Sequence, residues 1–235
     1  MGVDLRWLGN NEKKAGVMMS EQRSIAAQVA GELAVYWTDD EAEIPIICRK
    51  RMPIHRQNWG KSSLDGKVEA FDESGQLLVM RKHGRIVGGV RLNIGMSGTT
   101  MTLPCEQNSF KLDQALPKLY RPGLIRAQMS RFFTDTHRIN SDEVTEIWRA
   151  CLQKAEDWHV EQLIFLTRRA MGQQNQGRCA ELGWDVTIHD DFVFQDKLRS
   201  GSTPTVLCCA TPRWISSRRS LQDQWVARDN GNTAN

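Results

Sequence analysis

The 235-residue sequence has no long apolar run near its start, no Cys-x-x-Cys pair and no large excess of charge of one sign. Residues 1–20 mix Asp4, Arg6, Glu12, Lys13 and Lys14 among isolated apolar side chains, so neither a secretory signal nor a membrane-spanning helix is predicted there. A cytoplasmic location with no membrane partner is expected. The cysteines Cys48, Cys105, Cys151, Cys179, Cys208 and Cys209 have no histidine at zinc-ligand spacing; they read as reduced, mostly buried thiols, and no metal is expected. Lys and Arg total 31 against 28 Asp and Glu, a formal charge of +3. That is too small for a protein whose whole surface tracks phosphates, so nucleic acid is not an expected partner. With 40% hydrophobic and 25% charged residues the composition is neither disordered nor collagen-like, and the chain is long enough to bury a full core.

What is present is an alternation of helix and strand patterns. Ile25, Val29, Leu33 and Tyr36 fall at helical spacing and predict an amphipathic helix over residues 20–37. A short apolar run at 44–48 leads into a basic stretch, Arg49-Lys50-Arg51, with Pro53, His55, Arg56 and Trp59 behind it. Because proline is tolerated in a first turn and not in an interior, any helix here is predicted to begin near Pro53. Residues 60–75 read as a polar loop. Runs at 77–80 and 86–92, joined through Gly84, predict a β-hairpin whose Gly88-Gly89 pair marks a bulge or close approach.

Further on, a short strand over 96–102, a brief helix over 110–119 and an extended segment over 124–133 are predicted. Asn140 and Glu143 have capping-box spacing, and Val144, Ile147, Trp148, Cys151, Leu152, Ala155 and Trp158 then share one helical stripe. A strand at 162–167, a helix at 173–182 stopped by Gly183, strands at 185–189 and 205–210 and a loosely ordered tail complete the reading. The sum predicts an α/β fold with a mixed twisted central sheet and helices on both faces. Its organisation is an N-terminal extension (1–48), a core (49–212) and a C-terminal tail (213–235).

Four stretches carry a resemblance to a known family. Arg49 or Arg51 precedes Trp59; an acidic pair follows in Glu69-Ala70-Phe71-Asp72; the hairpin runs through Gly84 to Gly88-Gly89-Val90-Arg91-Leu92; and Gln128-Met129-Ser130-Arg131-Phe132-Phe133 closes the set. In this order they resemble the acyl-homoserine-lactone synthases, the autoinducer synthases of bacterial quorum sensing. Arg178-Cys179-Ala180-Glu181-Leu182-Gly183-Trp184 resembles that family's later helix-to-glycine turn, and the likeness covers residues 49–185. It implies a GNAT-like acyltransferase fold, in which one central strand splits from its neighbour and leaves a slot for an acyl thioester.

The resemblance also implies a reaction: an acyl group passes from an acyl carrier protein to the amine of S-adenosylmethionine, and the homoserine lactone closes with loss of methylthioadenosine. Such a reaction needs a proton acceptor for the ammonium group and donors for the thioester oxyanion. By resemblance, Glu69 and Asp72 face the amine and Ser130 and Arg131 belong to the catalytic set; Arg91, a long basic side chain in an apolar strand after two glycines, needs a carboxylate partner or a wet slot. Trp59, Phe71, Phe132 and Phe133 suit the adenosyl and acyl groups. Gln128 departs from the pattern, because the family has a glutamate there proposed to deprotonate the amine, and a neutral amide cannot take that proton. Asp72 or a bound water is then the expected acceptor.

A Gln/Arg-x-x-Gly-x-Gly/Ala loop, which cradles the coenzyme A pyrophosphate in other acetyltransferases of this fold, does not follow the 124–133 segment. Gln174-Asn175-Gln176-Gly177-Arg178-Cys179 comes close but lies after the next strand, so a carrier-protein donor is favoured. Arg49, Lys50, Arg51, Arg56, Arg81, Lys82 and Arg85 would supply a basic docking face for an acidic carrier. Two alternatives stand beside this reading: an N-acyl amino acid synthase of similar fold, and a non-catalytic module that binds the carrier protein.

Overall fold

The computed structural model describes residues 33–59, 66–106, 110–117, 121–194 and 204–215. Among the described residues, seven strands form one sheet: β1 (Leu33–Thr38), β2 (Gln76–Lys82), β3 (Arg85–Met96), β4 (Ile125–Thr134), β5 (Gln162–Thr167), β6 (Trp184–Phe194) and β7 (Thr205–Pro212). Their order is β1-β2-β3-β4-β5-β7-β6, and every neighbouring pair is antiparallel except β4 and β5, which run parallel. The helices are α1 (Ile44–Trp59), α2 (Ala70–Ser74), α3 (Leu112–Ala115), α4 (Ser141–Asp157) and α5 (Arg169–Glu181). No helix among the described residues is long and apolar enough to cross a membrane.

The sheet is covered on both faces, as the period-two alternation of β2 requires. Leu78 and Met80 point into the larger core, where α4 contributes Ile147, Trp148, Cys151, Leu152 and Ala155. Leu77 and Val79 point the other way, against Ile47 of α1 and Phe133. Farther along this second face, Leu112 of α3 and Leu116 pack on Ile164 and Leu207. The capping box that starts α4 is formed: the Glu143 N–H donates to Asn140 Oδ1 and the Asn140 N–H to Glu143 Oε2, each at 2.9 Å.

Several sequence expectations are corrected. Of the helix predicted over 20–37, the part that is described is a strand: residues 33–38 pair with β2, Leu33 opposite Lys82 and Thr38 opposite Leu77. Six residues fit either period, and the open edge of β2 decides between them. Residues 33–38, ahead of position 49, thus belong to the sheet. Helix α1 starts at Ile44 rather than near Pro53, which sits in its interior. Asp40 opens the helix by accepting N–H groups from Ala42, Glu43 and Ile44. Burial of Ile47, Cys48 and Arg51 against the sheet offsets a proline cost of about 3 kcal/mol.

The loop at 60–75 contains α2. No separate strand follows Met96, because β3 continues that far and the chain turns back, the Met96 N–H donating to the Met101 carbonyl at 3.1 Å. The helix predicted over 110–119 is the four residues of α3, α5 begins at Arg169 instead of 173, and β6 extends to Phe194. The C-terminal tail is described only to Ile215, which is buried.

Candidate active site

Strand β4 changes character at Met129. Up to that residue it is held on both edges, with Arg126–Met129 lying against Gln162–Phe165 of β5. From Ser130 onward the pairing with β5 ends, and only the β3 edge continues. There Gly89 lies opposite Phe133 and Arg91 opposite Ser130, so Arg131 and Phe132 together face the single residue Val90: a β-bulge. Arg131 adopts the left-handed conformation, φ 56°, uncommon for a residue with a side chain. Gly89 lets the bulge close, since a Cβ there would lie 2.6 Å from the Leu78 carbonyl oxygen and 2.8 Å from the Phe133 ring. The paired glycines therefore mark the close approach the sequence suggested.

The parting of β4 from β5 opens a cleft of about 500 Å³. Phe132, Trp148 and Phe165 give it an apolar wall, Trp148 and Phe165 meeting edge to face with ring centroids 5.2 Å apart. Arg168 and Arg178 line it from the α5 side, and Arg178 donates to Ser141 Oγ at 2.9 Å and Asn175 Oδ1 at 3.1 Å. From α1, His55 lines the same cleft, as do Ser130 and Arg131. Sequence reading placed His55 only in a basic stretch. Its position four residues after Arg51, on the same helical face, was the available signal.

On the face covered by α1, charged side chains gather into a network. The three-residue separation of Glu69 and Asp72 is that of a helix cap: Asp72 Oδ2 accepts the Glu69 N–H at 2.9 Å. Arg51 grips the Asp72 carboxylate with both terminal nitrogens, at 2.9 and 3.0 Å. Arg91 Nη1 adds contacts to Asp72 Oδ1 at 3.0 Å and Glu69 Oε2 at 2.9 Å, while its Nε donates to Ser130 Oγ at 3.0 Å. Arg131 closes the ring, donating to Glu69 at 2.9 and 2.6 Å.

Asp72 is fully buried, Arg51 and Arg91 nearly so, whereas Glu69 and Arg131 are 31% and 29% exposed. Burial alone would push the Asp72 carboxyl up, but the guanidinium groups of Arg51 and Arg91 hold it far below the usual carboxylate range. Glu69 is likewise lowered, burial being outweighed by Arg131, Arg91 and Arg51. Arg91 is lowered by its burial, against the pull of the two carboxylates. With its oxygens engaged by Arg51, Arg91, the Glu69 N–H and, at 3.4 Å, Cys48 Sγ, Asp72 is poorly suited to accept a proton, and its geometry is that of a positioning residue.

The remaining expected residues are distributed as follows. Gln128 is buried on β4 opposite Asn93, and its Oε1 accepts the Cys105 N–H at 2.6 Å. Phe71 lies under the Arg91 guanidinium, 5.6 Å from ring centroid to Cζ. Phe132 and Phe133 both line the cleft. The side chain of Trp59 lies outside the described residues. Arg49 is exposed, away from the network, and so are Lys50, Arg56 and Arg85. Arg51 does not belong to a basic docking face, because it is buried and paired with Asp72; Arg81 is tied to Glu43 and Tyr36, and Lys82 to Glu143. Five of the six cysteines are buried, and burial pushes the thiols of Cys105, Cys179 and Cys208 up to about 12.

No protein-family model and no curated protein sequence matches the chain. Solved structures do. FeeM, an N-acyl amino acid synthase from uncultured soil microbes, is similar with a TM-score of 0.57 at 13% identity, over 78% of this chain and 92% of that one. The coenzyme A-dependent acyl-homoserine lactone synthase BjaI, solved with S-adenosylmethionine and isopentyl-coenzyme A, gives 0.54 at 18% identity, over 77% and 85%. The acyl-homoserine lactone synthase LasI gives 0.53 at 17%, over 77% and 91%. At these identities the likeness concerns the fold: the chain has the GNAT-like α/β architecture of these acyltransferases.

Proposed function

We propose that the protein is an N-acyltransferase that moves an acyl group from an acyl-carrier-protein thioester to the amine of S-adenosylmethionine, giving an acyl-homoserine lactone. One observation carries this reading: the cleft between the parted strands β4 and β5 meets the charged network of Glu69, Asp72 and Arg91 at Ser130 and Arg131, where the β4 bulge begins. An apolar acyl chain suits the wall of Phe132, Trp148 and Phe165. Backbone N–H groups on the β5 edge of β4, past the end of that pairing, suit the oxyanion that forms when the thioester is attacked.

Each network residue then has a role. Glu69, the exposed carboxylate of the pair, attracts the ammonium group of the acceptor, and Arg131 orients Glu69. Asp72 fixes Arg51 and Arg91, and Arg91 in turn holds Ser130 at the bulge. The exposed cations Arg49, Arg56 and Arg85 remain available to an acidic carrier protein.

A second reading, acyl transfer to an amino acid, is favoured by Gln128: it holds a loop amide of Cys105 and brings no carboxylate, so the distinguishing glutamate of lactone synthesis is absent. Incubating the protein with acylated carrier protein and either S-adenosylmethionine or a panel of amino acids tests both. Lactone with methylthioadenosine supports the first, and an open N-acyl amino acid the second. Carrier binding without thiol release replaces both with a non-catalytic module.

A further inference from the structure

An amine enters such a reaction as an ammonium ion and must lose a proton before it attacks. Gln128 cannot take that proton; Asp72 is held as an anion by two arginines and shut away from solvent, and Glu69, though it attracts the ammonium group, is held as an anion by Arg131 and Arg91. The described residues lining the cleft include no aspartate, glutamate, lysine, cysteine or tyrosine. Besides the arginines Arg131, Arg168 and Arg178, a residue type with donors and no acceptor, they include one ionisable side chain, His55. Resting on the acyl-transfer reading, we infer that His55 is the proton acceptor of this site, standing in α1 where it reaches the cleft that Ser130 and Arg131 also line.

The placement has a structural cause. Arg51 lies one helical turn before His55 and is clamped by Asp72, which fixes α1 over the sheet; Ile47 and Ile54 pack against the same apolar cluster as Phe133. His55 is therefore buried, 7% exposed, on a rigid element rather than on a loop. The charged side chains that line the cleft with it are the arginines Arg131, Arg168 and Arg178, of which Arg131 is paired with Glu69. An imidazole is the side chain able to take up and release a proton near neutral pH.

The step balances. His55 takes one proton from the ammonium group, and the freed nitrogen lone pair forms the C–N bond at the thioester carbonyl carbon. The oxyanion collapses, the C–S bond breaks, and sulfur leaves with the electron pair. The second proton lost by nitrogen passes to the thiolate, and the imidazolium returns the first to solvent.

Two measurements test this. Diethyl pyrocarbonate is applied to the wild-type protein with and without S-acyl pantetheine, and mass spectrometry of the peptides reads carbethoxylation at His55. Labelling that the thioester slows several-fold supports the assignment; labelling at an equal rate, or none, overturns it. Turnover of His55→Gln and His55→Ala is then compared with wild type, with melting temperatures as the folding check. A loss of about 100-fold or more in kcat at little changed KM, with partial recovery of His55→Ala by added imidazole, is expected. A His55→Gln protein that melts and turns over like the parent overturns the inference and leaves the acyl-transfer reading standing. If wild type acylates no amine, that reading fails instead, and the labelling result still decides whether the imidazole lines the thioester cleft.

Discussion

The two halves of β4 carry similar residues and end in different chemistry. In the first half, Arg126 donates to Gln162 and Asp113, Gln128 accepts from Cys105, and both backbone edges are hydrogen-bonded. In the second, one edge is released from β5, Arg131 turns left-handed, and Ser130, Phe132 and Phe133 line a cleft. Backbone donors and acceptors must be paired or wet. A half-strand whose groups are all paired can serve only as a wall, whereas one with a released edge can receive a ligand. The site arises where the sheet stops satisfying itself.

The largest effect that would break this contrast is expected at Asp72. Asp72→Ala leaves Arg51 and Arg91 buried without their shared counter-ion and should cost about 3–5 kcal/mol in urea unfolding. A loss under about 1 kcal/mol would show that the network does not hold α1 on the sheet. The same carboxylates set an acid limb. Because Asp72 and Glu69 are both lowered in the folded state, their contribution is present above the ordinary values of 3.8 and 4.5 and is lost as pH falls below them toward the lower native values. Stability measured at stepwise lower pH should decline more steeply in wild type than in Asp72→Ala.

Next come substitutions that sample each half directly. Ala127, fully buried in the main core and absent from the cleft lining, should cost about 1–3 kcal/mol as Ala127→Leu, by overpacking. Phe132→Ala, in the parted half, should weaken acyl-thioester binding, which Ala127→Leu should leave unchanged. Equal binding by the two variants would erase the distinction. Gly89→Ala tests the bulge: the new methyl meets the Leu78 carbonyl and the Phe133 ring, and a loss of about 1–3 kcal/mol is expected.

The smallest effect concerns the cysteines. Iodoacetamide should react slowly with the native protein and leave activity nearly intact, because burial pushes the thiols of Cys105, Cys179 and Cys208 to about 12 and that of Cys48 to about 11. Fast inactivation prevented by the acyl donor would instead mark an acyl-cysteine intermediate.

What the sequence revealed tracks how local each determinant is. Helix α4 was readable because its cap and its stripe from Val144 to Ala155 lie within one segment. The β2–β3 hairpin was readable for the same reason, and Arg91, a long cation in an apolar strand, announced the need for the partners that Glu69 and Asp72 supply. Strand β1 was hidden because Leu33 and Tyr36 satisfy a helical stripe until β2 offers an edge. Helix α1 was hidden because Pro53 argues locally against a helix that tertiary burial of Cys48 and Arg51 imposes. The left-handed Arg131 is settled by register with Val90 and leaves no mark in its own neighbourhood; for His55 the spacing from Arg51 marks only a shared helical face, and the cleft wall that gives it a role lies far along the chain.

The single parallel junction, β4 with β5, has a consequence for assembly. Strands β1 to β4 run antiparallel each to the next, and the tight β2–β3 turn closes a short loop, whereas joining β5 to β4 requires the crossover through α4. The unit holding Arg51, Asp72, Arg91 and Arg131 can thus be complete while the opposite wall, β5 with α5 and β7, is still undocked. On the acyl-transfer reading, the width of the cleft then depends on how these two parts of the sheet seat against each other, and repacking at the β5–β7 contact, with no cleft residue changed, becomes a route to a different acyl-chain length.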